Sequence, residues 1–337
     1  MSPILIAQTI FAVVVILGGA MAACGCSLAY FRRVRMQRPA IGTFNGRDIV
    51  FLSVFIVGLP LLYLVMPGWA LTGFLIITFT ASLAIGYRSL VPPTLLWIGI
   101  GVLLGADIWA ARTMLGTVVG WQVFWAITSV IVLLGAVSVV NLYVQGGMKL
   151  RHVVVFAMGL AVYDAVFSTI VPITPLLADR FLGKPLDPSI GMSSGLLAAN
   201  IGIGDLLVYG LFVVTAFKAY GKRAARLALA TVAVFGAIIP ACAPLVLTIF
   251  IRGEINVVVP AQTFFGPAAT LTYLWLRKNG PERSMARFLA STDASGSRTE
   301  PLPTTDNKRS PDPTNTRTFP HPAEPTKASH APVGAEI

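Results

Sequence analysis

Long apolar runs fill most of the chain up to about residue 276, and short polar segments separate them. A membrane-spanning helix needs about 20 predominantly apolar residues. Nine runs are long enough, and they predict spans at approximately residues 4–31, 49–66, 69–87, 90–110, 116–143, 151–173, 190–217, 227–250 and 255–276. The pattern therefore predicts an all-α polytopic membrane protein with nine transmembrane helices.

Basic residues are distributed unevenly among the segments between these predicted spans. Sixteen lie close to the membrane after the first, third, fifth, seventh and ninth spans, whereas the other loops hold four, which are Arg112, Arg180, Lys184 and Arg252. Lys and Arg mark the cytoplasmic side of a membrane. The N-terminus is therefore predicted outside and the C-terminus in the cytoplasm. An error of one span would scramble the alternation, which favours a count of nine.

The composition agrees with a membrane protein and changes toward the C-terminus. Hydrophobic residues make up 55% of the 337 residues and charged residues 12%, whereas soluble domains carry about 25% charged residues. The net charge of +11 lies largely in the loops, so it indicates topology and no nucleic-acid partner. The composition changes from about residue 279, and residues 291–337 are rich in Pro, Thr, Ser and mixed charges, so they cannot bury enough surface to offset ordering entropy. We expect a membrane domain at 1–278 and a disordered cytoplasmic tail at 279–337.

The cysteines and histidines give no sign of a disulfide framework or a metal centre. Cys24, Cys26 and Cys242 all fall in apolar segments, and the first two do not face each other on a helix. One histidine lies at a span end and two lie in the tail. The sequence therefore predicts neither a metal nor a cofactor.

Asp164 and Asp205 are the acidic residues that lie deep inside predicted spans, where an ionisable group indicates a functional site. At about 1.5 Å per residue, Asp164 lies roughly 20 Å from the cytoplasmic start of its helix. Asp205 lies roughly 18 Å from the cytoplasmic end of the next, antiparallel helix. The two carboxyls therefore share one depth and are expected to face each other. Asp107, five residues before Arg112 at the outer end of the fourth span, is interpreted as a paired or snorkelling interfacial acid.

Two carboxyls in close contact share one proton, and such a pair suits peptide hydrolysis. The ionised member takes a proton from water as the water attacks the carbonyl, and the protonated member donates to the carbonyl oxygen. Gly202 and Gly204 remove side chains beside Asp205, which lets water and another backbone approach. Residues 255–259 have β-forming side chains and are predicted to pair with an extended substrate. The pair titrates as a unit, so the acid and base roles stay open.

Tyr163-Asp164 in the sixth predicted span and Gly202-Ile203-Gly204-Asp205 in the seventh resemble the intramembrane aspartyl proteases with a Gly-x-Gly-Asp motif. These proteases form the presenilin and signal peptide peptidase family. That family has nine spans, with the same two motifs in the sixth and seventh. The resemblance implies a presenilin-like helical bundle in which both aspartates are catalytic, with Tyr163, Gly202 and Gly204 supporting the active site.

A third motif of this family, Pro-Ala-Leu, lies near the start of the ninth span and positions substrate. Its counterpart here is Pro260-Ala261-Gln262, in which Gln replaces Leu. The predicted N-out orientation resembles signal peptide peptidases, and it implies transmembrane peptide substrates such as signal-peptide remnants or single-span proteins. The resemblance implies no accessory subunit. The absence of an Asn-x-Ser/Thr sequon fits a prokaryotic plasma membrane.

Two other functions are compatible with the same residues. In a proton-coupled transporter or channel, Asp164 and Asp205 would carry protons, although these spans show few polar residues along a pathway. A catalytically inactive relative would bind membrane helices, and Gln262 keeps this alternative open. Prepilin peptidases share the Gly-x-Gly-Asp string, but they usually carry a sizeable cytoplasmic loop that this chain lacks.

Overall fold

The computed structural model describes residues 3–36, 46–169, 176–177, 180–194, 197–250, 260–291 and 293. These residues are mostly helical, and the chain is a multi-pass membrane protein. Seven described helices are long and apolar enough to cross a membrane: Pro3–Arg33, Gly68–Tyr87, Pro93–Thr113, Val118–Gln145, Leu150–Phe167, Ile203–Tyr220 and Lys222–Leu247.

The first six helices lie close to the first six predicted spans. They are α1 (Pro3–Arg33), α2 (Gly46–Val65), α3 (Gly68–Tyr87), α4 (Pro93–Thr113), α5 (Val118–Gln145) and α6 (Leu150–Thr169). Local chemistry sets several helix starts. Pro93 occupies the first turn of α4, where its missing N–H has no intrahelical partner to lose. The Thr117 hydroxyl caps α5 by accepting a hydrogen bond from the N–H of Gly120.

The predicted seventh span at 190–217 is wrong in its first third. An antiparallel hairpin of β1 (Ser189–Ser194) and β2 (Leu197–Gly202) precedes α7 (Ile203–Tyr220). The first strand contains one Gly and three Ser, which are weak helix formers. Apolarity alone does not distinguish a buried strand from a helix. Asp205 therefore lies in the first turn of α7 and not in the middle of a long helix.

The hairpin is packed between α1 and α5, which explains why its strands are stable at the end of a helical bundle. Gly191 lies against the Trp125 ring, and a Cβ there would come within 2.8 Å of it. The Ser129 hydroxyl bonds the N–H and the carbonyl of Gly191 at 3.4 and 3.5 Å. On the other strand, the Gln8 amide donates to the carbonyl of Ala198 at 2.7 Å.

The predicted eighth span at 227–250 is a continuous helical stretch with a π-helical insertion. It comprises α8 (Lys222–Thr231), the π segment Val232–Ile238 and α9 (Ile239–Phe250). A π turn leaves backbone groups out of the α-helical ladder and is frequent at functional sites. Here the Tyr209 hydroxyl donates to the carbonyl of Gly236 in that segment at 2.8 Å.

The predicted ninth span at 255–276 begins later, as α10 (Ala261–Lys278). This helix packs along α6, and small residues permit the close approach because Gly266 contacts Ala157 and Ala161. Residues 255–259, predicted to pair with substrate, lie outside the described residues. The count of nine spans stays a prediction, because α2 and α10 are helical but are not among the seven candidates above.

Residues 282–291, here called the strap, are ordered although the sequence assigned them to a disordered tail. The Glu282 carboxylate accepts the N–H groups of Leu150 and Arg151 at 3.1 Å each, and so caps the start of α6. The Arg283 guanidinium donates to the carbonyls of Ala219 and Phe217 at the end of α7. Phe288, in the short helix α11 (Met285–Leu289), is fully buried against the rings of Phe31 and Phe217.

The strap therefore fixes the start of α6 and the end of α7, which lie on the same side of the bundle. These two helices carry the predicted catalytic aspartates. Its aromatic contacts bury apolar area that a disordered tail would leave in water, and this burial is the physical reason for its order. The tail beyond residue 293 lies outside the described residues.

Candidate active site

The structure brings Asp164 and Asp205 together. Asp164 lies on α6 near its last turns, Asp205 lies in the first turn of α7, and the two helices pack against each other. Both side chains are half-buried, and the two carboxyls are close enough to interact electrostatically. The helices α6 and α7 are antiparallel, and the strap holds the start of α6 beside the end of α7. The end of α6, with Asp164, therefore lies beside the start of α7, with Asp205.

Gln262 contacts both carboxyls from a third helix. Its backbone N–H donates to Asp164, and its side-chain Nε2 donates to Oδ1 of Asp205 at 2.6 Å. Gln262 is the second residue of α10, and the N–H groups of a first helical turn have no intrahelical acceptor, so this donor is free. The side chain is 2% exposed, and its Oε1 has no hydrogen-bond partner among the described residues.

Pro260 and Ala261 define where α10 begins. Pro260 occupies the N-cap position with extended backbone angles, and Ala261 is the first helical residue. The fixed φ of proline suits this position. These two residues act on the site by setting the start of the helix, which places the N–H of Gln262 toward Asp164.

Gly202 and Gly204 leave open space beside Asp205. Gly202 ends β2 and serves as the N-cap residue of α7, and both glycines are exposed. A Cβ at either position would meet no atom within 4 Å among the described residues. Packing within the described chain therefore does not require these glycines.

Tyr163 packs mainly within its own helix. Its ring lies 4.4 Å from the ring of Phe167, centroid to centroid, and it is half-buried. Electrostatic interaction with Asp164 places it at the edge of the site.

Tyr209 belongs to the surroundings of the site, although the sequence predictions gave it no role. It is fully buried one helical turn after Asp205, and its hydroxyl bonds Gly236 in the π segment. Its ring centroid lies 4.7 Å from that of Phe265 on α10. Tyr209 thus connects α7 with both the π segment and the helix that carries Gln262. The spacing of four residues from Asp205 was the available signal.

Asp107 and Asp187 form a second group of acids, near the entrance to the hairpin. Asp107 is fully buried and therefore does not snorkel: it accepts hydrogen bonds from the Thr128 hydroxyl at 2.5 Å and the Leu186 N–H at 2.6 Å. Asp187 accepts from the Ser189 hydroxyl at 2.6 Å. Burial raises the pKa of Asp187 to about 7; the Ser189 hydrogen bond opposes this shift and repulsion from Asp107 adds to it. These contacts anchor the segment that enters β1.

Comparisons with known proteins give structural similarity and no match by sequence. No protein-family model matches the chain, and no curated protein matches it. Among solved structures, the chain is similar to a presenilin family intramembrane aspartate protease crystallised in space group C222. The TM-score is 0.44 and the sequence identity 14%, over 82% of this chain and 99% of that chain. At this level of similarity, the case for a function rests on the chemistry of the site itself.

Proposed function

We propose that the chain is an intramembrane-cleaving aspartyl protease with Asp164 and Asp205 as its catalytic pair. The observation that carries the proposal is Gln262, which donates one hydrogen bond to each carboxyl. One residue reaches two carboxyls from different helices only if they lie within a few ångströms of a common point. Repulsion between two interacting carboxyls favours a state in which one of them is protonated, as acid–base catalysis of peptide hydrolysis requires.

In the proposed reaction, the ionised carboxyl takes a proton from a water molecule whose oxygen attacks the peptide carbonyl carbon. The protonated carboxyl gives its proton to the carbonyl oxygen, which yields a neutral tetrahedral diol. The C–N bond then breaks as one diol hydroxyl gives its proton to the ionised carboxylate and the protonated carboxyl gives its proton to the amide nitrogen. The pair therefore ends with one proton, as it began. The assignment of roles between the two aspartates stays open because they titrate as a unit.

Gln262 is proposed to position substrate as well as the carboxyls. A buried carbonyl oxygen without a donor costs about 1–3 kcal/mol, and Gln262 Oε1 is such an oxygen among the described residues. A peptide N–H of the substrate, or the attacking water, would supply the missing donor. Pro260 and Ala261 contribute to positioning by setting the helix start.

The substrate is proposed to be a transmembrane segment that binds in extended form, because a peptide bond inside a helix is shielded from attack. An extended peptide gains main-chain hydrogen bonds when it lies beside an existing strand. The β1–β2 hairpin ends at Gly202, two residues before the exposed Gly204 and three before Asp205. Among the described elements, the hairpin is therefore the one suited to this role, which the sequence had given to residues 255–259.

We further propose nine spans in a prokaryotic plasma membrane, with the N-terminus outside and the strap in the cytoplasm. The basic loop residues support this orientation because they gather at the strap end of the helices. Substrates would then be single spans such as signal-peptide remnants.

The test is cleavage of a transmembrane peptide by the purified full chain in detergent. We expect cleavage products from the native protein and none from Asp164→Asn or Asp205→Asn, with inhibition by a transition-state analogue of aspartyl proteases. Asp107→Asn is the matched control, because Asp107 is also a carboxyl within a predicted span but lies outside the proposed pair. Thermal unfolding of all variants checks that each remains folded.

Cleavage that survives both substitutions would contradict the proposal. If several peptides remain intact while proteoliposomes show proton flux that depends on both aspartates, the chain is a transporter. If neither activity is found but membrane peptides bind, it is an inactive relative.

A further inference from the structure

A cavity of about 780 Å³ lies at the end of the bundle opposite to the strap. It is enclosed by the start of α3, the end of α4 and the segment 180–185. Leu71, Leu75 and Phe181 contribute to its apolar wall, and Arg112, Arg180 and Lys184 contribute its charges. The cavity is separate from the two catalytic carboxyls and has no part in the proposed protease reaction.

The charges in this cavity are unusual for their position in the chain. Only four basic residues lie in the loops on this side of the predicted topology, and three of them line this one cavity. They come from two loops that are far apart in sequence. Arg112 and Lys184 are exposed, and none of the described residues that line the cavity is acidic. Like charges that line one cavity repel one another, so their convergence favours an anionic ligand.

Arg180 is partly committed to the protein. Its guanidinium donates to the carbonyl of Met66, and its Nε is buried without a partner among the described residues. The Phe181 ring meets the Tyr63 ring edge-on at 5.5 Å. These contacts hold the 180–185 segment against the α2–α3 turn, so the cationic side of the cavity has a defined position.

The surroundings indicate a ligand that is both anionic and apolar. Trp69, which lines the cavity, is 81% exposed at the start of α3, and tryptophan is enriched at the membrane–water interface. The cations thus lie at headgroup level, above a wall that continues along α3. We propose that the cavity binds an anionic phospholipid, with its phosphate at Arg112 and Lys184 and an acyl chain against Leu71 and Leu75.

Native mass spectrometry of the full chain in neutral detergent tests this site with short-chain lipids. We expect dihexanoyl phosphatidylglycerol to bind at least about tenfold more tightly than dihexanoyl phosphatidylcholine or inorganic phosphate. The double variant Arg112→Gln with Lys184→Gln should bind phosphatidylglycerol about 25-fold more weakly, at about fivefold for each basic residue removed. The double variant Lys222→Gln with Arg226→Gln removes the same charges from exposed positions elsewhere and should bind like the native chain.

A second variant acts through shape and not charge. Gly73 lines the cavity on α3, and a Cβ there meets no described atom within 4 Å, so Gly73→Leu introduces a side chain at the cavity wall without a clash at its Cβ. It too should weaken phosphatidylglycerol binding. Equal binding of phosphatidylglycerol by the native and doubly substituted chains would overturn the proposal. So would equal binding of phosphatidylcholine, or competition by inorganic phosphate at the same concentration as the lipid.

Discussion

At the scale of single residues, Gln262 distinguishes this chain from the Pro-Ala-Leu motif that it resembles. Leucine at that position offers only its backbone N–H, whereas Gln262 adds a side-chain donor to Asp205. Hydrogen bonds to a charged group contribute about 1.5–3 kcal/mol. The amide therefore fixes the orientation of the Asp205 carboxyl in a way that the apolar side chain cannot.

Gln262→Leu should lower kcat of peptide cleavage by about tenfold, since the loss of one charge-assisted hydrogen bond corresponds to roughly 1.5 kcal/mol. The backbone donor to Asp164 is retained. Steady-state kinetics with a transmembrane peptide measures kcat and KM separately. Thr263→Val is the matched control, because it also makes one polar side chain of α10 apolar, and the Thr263 hydroxyl has no described partner. An unchanged kcat in Gln262→Leu would show that the amide has no role in catalysis.

Tyr209→Phe should destabilise the protein by about 1–2 kcal/mol, because it leaves the Gly236 carbonyl without its donor. The ring and its contact with Phe265 remain. Thermal or denaturant unfolding in detergent measures the effect. Tyr220→Phe on the same helix provides the comparison: the Tyr220 hydroxyl is buried without a described hydrogen-bond partner, so its removal should cost little or nothing. Equal effects of the two substitutions would show that the hydrogen bond from Tyr209 to Gly236 does not stabilise the protein.

At the scale of elements, the hairpin and the strap are the parts that the hydropathy pattern did not predict. The run 190–202 is apolar and rich in small residues that form helices weakly, and its packing between α1 and α5 stabilises the strands. The strap is polar and lies after the last apolar run, yet its Phe288 ring packs against the rings of Phe31 and Phe217. In both cases the deciding contacts join residues far apart in sequence.

Asp187 should make stability depend on pH in the segment that leads into the hairpin. An unfolded Asp titrates near pH 4, and the folded Asp187 near 7, so the folded protein holds an extra proton between these values. Stability should therefore fall as pH rises from about 4 to 7, by about 1.4 kcal/mol per unit at most, and level off above. Unfolding of the native chain and Asp187→Asn across this range measures the difference. If the free energy of unfolding changed with pH in the same way for the two proteins, the prediction would be wrong.

Phe288→Ala should destabilise the protein by about 3–5 kcal/mol, because it removes a fully buried ring and leaves a cavity. Leu289→Ala is the control in the same short helix, since Leu289 is 49% exposed, and it should change stability by less than about 0.5 kcal/mol. Unfolding in detergent measures both. A small effect of Phe288→Ala would mean that the strap does not hold the ends of α6 and α7 together.

At the scale of the whole molecule, hydropathy predicted most of the membrane domain because the bilayer imposes one length on every span. The ends of α3 and α5 lie within two residues of their predicted ends. The juxtaposition of Asp164 and Asp205 followed from equal depth in antiparallel helices. The double contact of Gln262 could not be predicted, because it depends on where α10 begins and on how closely α10 approaches α6.

The boundary of the membrane domain gives the last prediction. Among the described residues, the strap extends the folded chain beyond the predicted boundary at 278, because it caps α6 and packs on α1 and α7. A chain ended after Arg298 should keep the native unfolding temperature and peptide cleavage. A chain ended after Lys278 loses the Glu282 cap, the Arg283 contacts and the Phe288 ring together, so it should unfold at a clearly lower temperature. If both truncated chains unfold like the full chain, the strap contributes nothing to stability. If the chain ended after Arg298 already unfolds at a lower temperature, residues 299–337 contribute to folding despite a composition typical of disorder.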